Sequence, residues 1–225
     1  MQPITSSSAP DPFARRREAG AASRAETRQR LLAAADALFR ERGYPATAVA
    51  AISKRAGVSL QTLYLAWGSK RALLRAATDA AAVASQSPLS PEEWHATIRA
   101  ELANAVGADP TAAAYLAATS RLFVHIAERT APYWRMHRQA AATDPEIAAD
   151  WVAITHARRR TLAEVARSVP PRGLRPGVAA DDITETLWAL ASPEMYDLFT
   201  VDGGHDPDVF EAWLTRTLTA VICSD

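Results

Sequence analysis

A chain of 225 residues and 24.2 kDa has room for one or two compact units. With 48% hydrophobic and 22% charged residues it is not disordered as a whole, and its single cysteine, Cys223, rules out an internal disulfide and a cysteine-built zinc site. The formal charge of zero conceals an asymmetry: residues 1–75 hold 13 basic and 5 acidic side chains and the rest hold 12 and 20, giving +8 and −8, as expected of a polyanion-facing part joined to an acidic body.

No run of 18 apolar residues occurs, and the opening MQPITSSSAP lacks a basic segment followed by an apolar core. The expectation is a soluble, cytoplasmic protein without membrane association. Residues 1–12 are rich in Ser and Pro with nothing to bury, so residues 1–22, which include Arg15, Arg16 and Arg17, are read as a disordered basic arm. Its basic residues suit the polyanion-facing role, through specific contact or through nonspecific, salt-sensitive attraction.

Ser23 and Glu26 have the spacing of a capping box and predict the start of the first helix. Leu31, Ala35, Leu38 and Phe39 share one face of it, and Gly43 stops it. A short helix follows, capped by Thr47, with Val49, Ile52 and Ala56 turned inward and Gly57 as its end. After Gly57-Val58-Ser59 a second short helix starts with Ser59 as cap and keeps Leu63 on its buried side. Two short helices around a glycine turn form a helix-turn-helix, whose second helix enters the major groove.

Further on, a capping residue stands directly before proline at Ser90-Pro91, Asp109-Pro110, Asp144-Pro145, Ser192-Pro193 and Asp206-Pro207. Proline is tolerated at the first helical position because its missing N–H would be unpaired there. Each pair precedes an amphipathic stretch and no hairpin pattern appears. The fold class is all-α: a three-helix helix-turn-helix head over residues 23–68 and a second helical domain over residues 69–225, nine or ten helices in total.

The string from Thr27 to Leu74, TRQRLLAAADALFRERGYPATAVAAISKRAGVSLQTLYLAWGSKRALL, resembles the DNA-binding domain of the TetR family of transcriptional regulators. The resemblance implies that residues 69–225 form a ligand-binding and dimerisation domain, with a dimer on a double-stranded DNA operator and a small-molecule inducer of unknown identity; no cofactor is expected. It also implies that Tyr64 lays its ring on a sugar and its hydroxyl on a phosphate. Lys70, in the first turn of the fourth helix, is placed for a phosphate. Thr47 and Thr62 have hydroxyls for phosphates or, equally, for local backbone bonds. Base reading falls to Ser59, Leu60, Gln61, Thr62 and Leu65, with Gln61 able to pair twice with adenine and the leucines suited to thymine methyl groups. Ala48 and Ala50 stand where the family often has polar residues.

Two such heads must be held about 34 Å apart to reach successive major-groove faces. The segments Asp181 to Leu190 and Asp206 to Ile222, with Ile183, Leu187, Leu190, Phe210, Trp213, Leu214, Leu218 and Val221, are expected to form the dimer interface or to pack within their own chain. The resemblance places an inducer pocket in the helices from Pro91 to about Ser168. Candidates to line it are Trp94, Tyr115, Thr119, Phe123, Trp134, His137 and Trp151, although aromatics at helical spacing also fill ordinary bundle cores. Few charges fall on these inward positions, which favours an apolar or weakly polar ligand. Arg158, Arg159 and Arg160 read as a solvated face or salt-bridge set.

An all-α enzyme is the competing class. No HExxH, GxxxxGK[ST] or GxSxG string occurs, and His125 and Glu128 lack the second such pair that a di-metal site needs. The expectation is a DNA-binding repressor released by a ligand, with a ligand-independent or activating regulator as the alternative.

Overall fold

The computed structural model describes residues 12–83 and 91–224. The tail before Pro12, Ala84 and the Ser90 cap lie outside the described residues. Among the described residues there are ten α-helices, one π-helical turn and no strand. The helices are α1 (Pro12–Ala46), α2 (Val49–Ala56), α3 (Leu60–Trp67), α4 (Lys70–Val83), α5 (Pro91–Val106), α6 (Ala112–Ala141), α7 (Pro145–Arg167), α8 (Ala180–Leu190), α9 (Pro193–Asp197) and α10 (Pro207–Ile222). The π-helical turn, Leu198–Asp202, follows α9 directly.

The chain divides into two units, Met1–Leu74 and Arg75–Asp225. The division falls inside α4 rather than before Ser69, because Leu73 and Leu74 are fully buried and belong with the head. Moving Arg75 across leaves 12 basic and 5 acidic residues in the first unit (+7) and 13 and 20 in the second (−7). The charge asymmetry therefore follows the structural division.

In the first unit, α1 begins at Pro12, well before the expected start, and Pro12 to Ala22 are helical rather than part of a disordered arm. Ser23 is interior to that helix, its carbonyl accepting from Thr27 Oγ1 at 2.9 Å. The run from Ala14 to Glu26 is rich in Ala, Arg and Glu, strong helix formers, and Gly20 alone does not outweigh them. Leu31, Ala35, Leu38 and Phe39 form the buried face, joined by Ile52, Ala56 and Leu63 from α2 and α3. Gly43 adopts φ 76° where α1 breaks, and Gly57 adopts φ 66° between α2 and α3, backbone states that favour glycine.

In the second unit α6 packs against α5, α7, α9 and α10. Its core includes Leu102, Leu116, Val124, Leu162, Leu187, Phe210, Leu214 and Leu218. Asp144 caps α7, accepting from the amides of Glu146 at 2.9 Å and Ile147 at 3.2 Å. Ser192 caps α9 through the amide of Met195 at 3.1 Å. Asp206 holds the N-cap position of α10 without a side-chain bond. The expected Asp109-Pro110 cap is displaced: Thr111 caps α6 by accepting from Ala114 N at 3.2 Å, while Asp109 pairs with Arg172 at 2.7 Å. At the other end, Arg175 donates to the carbonyls of Ala220 at 2.6 Å and Cys223 at 3.2 Å, a cation on the carbonyls that close α10.

Candidate functional site

The recognition helix α3 is set by its first turn and its one core residue. Ser59 Oγ accepts from Thr62 N at 3.0 Å, and Leu63 is completely buried. With that face turned inward, Leu60 (44% exposed), Gln61, Tyr64 (48%) and Leu65 (81%) point to solvent. Three large partly or wholly apolar side chains outward on an eight-residue helix leave a surface that burial against the chain's own core does not satisfy. Ser59 is exposed, whereas Thr62 is half-buried and shares a 2.8 Å hydrogen bond between its hydroxyl and that of Ser59. Ala48 and Ala50 are exposed, and neither side chain can hydrogen-bond.

Two of the expected phosphate ligands are engaged elsewhere. Thr47 is fully buried, and its hydroxyl lies 2.8 Å from the carbonyl of Gly43 and 3.2 Å from that of Leu38. It bonds the break in α1 rather than capping α2, whose N-cap position is held by Ala48 without a side-chain bond. Lys70 Nζ donates to the carbonyls of Tyr44 at 2.9 Å and Thr47 at 3.0 Å and stands 4.1 Å from the centre of the Tyr44 ring. Burial lowers its pKa from the usual lysine value. Since an ammonium has three donors, most of Lys70 is committed to tying α4 to the last turn of α1 and to Thr47 just after it.

A second tie joins α3 to α1. Trp67, four residues beyond Leu63, donates its indole N–H to Arg28 O at 3.2 Å, while the Arg28 guanidinium lies over the Trp67 ring at 3.8 Å and bonds Ala66 O. The end of α3 is thereby fastened to α1. The position of Trp67 one turn after a core leucine is the signal that points to this. Glu41 and Arg55 join α1 to α2 at 2.6 Å. Arg24, Arg30, Arg42 and Lys54 are exposed and supply positive field around the head.

In the second unit, a cavity of about 310 Å3 opens between residues of α4, α5, α6 and α7. Of the seven residues expected to line a pocket, Trp94, Phe123 and Trp134 do so. Trp151 stands behind Trp134, edge-on at 5.0 Å between ring centres. His137 is buried one layer back, its Nε2 3.0 Å from the hydroxyl of the wall residue Thr78. Burial lowers its pKa to about 4, with Asp150 acting upward and Arg75 downward. Tyr115 and Thr119 belong to the core, with Thr119 Oγ1 donating to Tyr115 O at 2.8 Å.

The wall also holds charges that the spacing argument missed: Arg75, Asp79, Arg158 and Arg160, with His95 bonded to Thr161 at 3.0 Å. Arg75 lies 3.6 Å from Asp79 and 3.5 Å from Asp150. Arg158 is not on a solvated face; its guanidinium reaches the carbonyls of Trp188 and Ala191. Arg159 keeps the salt-bridge role, paired with Glu185. Among the described residues no cluster of His, Cys, Asp and Glu could hold a metal ion, and no helix is long and apolar enough to cross a membrane.

Residues 31–77 match the family model of bacterial regulatory proteins, tetR family. No curated protein matches the chain. Among solved structures, a TetR transcriptional regulator from Chloroflexus aurantiacus is similar at 22% identity and TM-score 0.62, covering 90% of this chain and 99% of that one. NalD, the secondary repressor of the MexAB-OprM multidrug efflux pump in Pseudomonas aeruginosa, is similar at 20% identity and TM-score 0.62, covering 88% and 98%. SmeT in its triclosan complex is similar at 19% identity and TM-score 0.62, covering 88% and 92%. Residues 31–77 are thus a DNA-binding domain of the tetR family of bacterial regulatory proteins, carried by a chain with the fold of TetR-type regulators.

Proposed function

We propose that this regulator is a dimeric repressor that leaves a palindromic operator when a small, largely apolar ligand occupies the cavity of its second unit. The observation that carries the DNA reading is the outward face of α3, where Leu60, Gln61, Tyr64 and Leu65 stand exposed above a fully buried Leu63. Gln61 pairs with an adenine edge, Leu60 and Leu65 meet thymine methyl groups, and Tyr64 lies on the backbone. Ser59 acts mainly by capping α3, accepting from the amide of Thr62 and sharing a hydrogen bond with its hydroxyl, and stays exposed to a base or phosphate.

The dimer interface is assigned to α8 and α10, but to their outer faces. Ile183, Leu187, Phe210, Leu214 and Leu218 are buried in their own chain. Val209 and Val221 stay exposed on α10, with Trp213 half-exposed between them, and these are the apolar contacts a second copy would cover. Ligand release draws support from the aromatic-walled cavity and from two neighbours: SmeT is described in complex with triclosan, and NalD is a repressor of an efflux pump. Helix α4 carries Lys70 in the head and Arg75, Thr78 and Asp79 on the cavity wall, which makes it the element through which occupancy acts on the head. A ligand shifts that balance only by its differential affinity for the two states.

Selection of bound fragments from a random DNA pool tests the reading. A palindromic site is the expected result. An asymmetric site, or no enrichment, overturns the dimeric operator model.

A further inference from the structure

Of the arginines on the cavity wall, Arg75 pairs with Asp79 and Asp150 and Arg160 is exposed, whereas Arg158 is half-buried with no carboxylate partner among the described residues. Both terminal nitrogens donate to Trp188 O at 3.3 Å and one also to Ala191 O at 3.0 Å, and the guanidinium stands 4.6 Å from the centre of the Trp188 ring. All of these partners are neutral. Glu194 acts on Arg158 only at longer range and lies 3.8 Å from Arg138. Among the described residues no carboxylate lies within ion-pair distance of Arg158, whereas its neighbour Arg159 has Glu185. Burial lowers the Arg158 pKa to about 10, which still leaves it cationic at neutral pH.

A guanidinium carries five N–H donors, so three hydrogen bonds leave two unspent. Trp134, 5.9 Å from this guanidinium, and Ala191, which accepts from it, both face the cavity. The wall's own carboxylate is not available to answer the charge: Asp79 is paired with Arg75. The remaining surface is largely aromatic or aliphatic, with Trp94, Phe123 and Ile126. Buried cations are retained where something anionic meets them, and each of the two remaining N–H groups can give a charge-assisted hydrogen bond to a carboxylate oxygen.

We infer that the ligand is a monoanion, a carboxylate on an aromatic body of about two rings, with Arg158 receiving the carboxylate and the tryptophan-lined wall receiving the rings. This rests on the reading of the cavity as the ligand site, and sharpens the expectation of an apolar or weakly polar ligand to an amphipathic, anionic one.

The test is calorimetric titration of the full chain, without DNA, with naphthoate, naphthamide and naphthylmethylamine, which share a ring system and differ in charge. Naphthoate is expected to bind about tenfold or more tightly than naphthamide, with the amine weakest. Arg158→Gln should level the acid and the amide, and Arg158→Lys, which keeps a cation near the two carbonyls, should retain a preference for the acid. Equal or tighter binding of the amide or the amine overturns the inference, as does an acid preference that survives Arg158→Gln, or no binding of any of the three. Release of operator DNA is a separate readout. An acid that binds without releasing DNA leaves the ligand class standing and removes ligand-induced release; release by the amine does the reverse.

Discussion

The head and the body are built from the same material, amphipathic helices with buried leucines, yet they differ in how far each residue's role is set by its neighbours in sequence. In the head, Leu31, Leu38, Phe39, Ile52 and Leu63 are buried as their spacing requires, and the outward positions of α3 follow by default. In the body, Trp94, Phe123 and Trp134 reach the cavity while Tyr115 and Thr119 fill the core and His137 sits behind Thr78. Helical periodicity says which face of a helix turns inward. It does not say whether that face meets packed side chains or a cavity.

The contrast can be broken most severely in the head. Leu63 is the buried residue that holds α3, so Leu63→Ala should cost about 3 kcal/mol of stability. Hydrogen exchange should show the loss in α1–α3, with protection of α6 and α10 unchanged; an equal loss in both units would mean that they unfold as one.

The next largest effect belongs to the body. His137 is neutral when folded, with its pKa lowered to about 4 against the usual 6.5, so the unfolded chain binds the extra proton first. Its contribution is complete above about pH 6.5 and is lost as pH falls toward 4, and about 2 kcal/mol should disappear between pH 7 and pH 5. Denaturant titrations at the two pH values should show a shallower slope for His137→Gln. An unchanged slope would place the titration elsewhere.

On the reading face, Gln61→Ala should cost about 1–3 kcal/mol of discrimination at one position of each half-site. Repeating the DNA selection with this variant would show that position relaxed; an unaltered preference removes Gln61 from base recognition.

The smallest effect separates two roles for one residue. If Lys70 holds carbonyls rather than a phosphate, Lys70→Met should destabilise the head by about 1 kcal/mol and leave the salt dependence of DNA binding unchanged. Loss of a phosphate contact would instead lower that slope by about one. Measuring affinity over a range of salt concentrations decides between them.

The sequence by itself determined that the protein is helical, where most helices start and stop, that a glycine-turned pair of helices forms a reading head, and that positive charge gathers there. These rest on contacts between residues three or four apart and on backbone states of single glycines, all of which are local. The extent of α1 was less legible, because the Ser23 and Glu26 spacing competes with an uninterrupted run of helix formers upstream. Tertiary structure alone decided how polar groups were used. Lys70 finds Tyr44 and Thr47, Thr78 finds His137, and Arg158 finds Trp188 and Ala191, partners that are 23 to 59 residues away. A long flexible side chain takes whichever acceptors the packed helices bring within reach, and spacing along one helix carries no record of them.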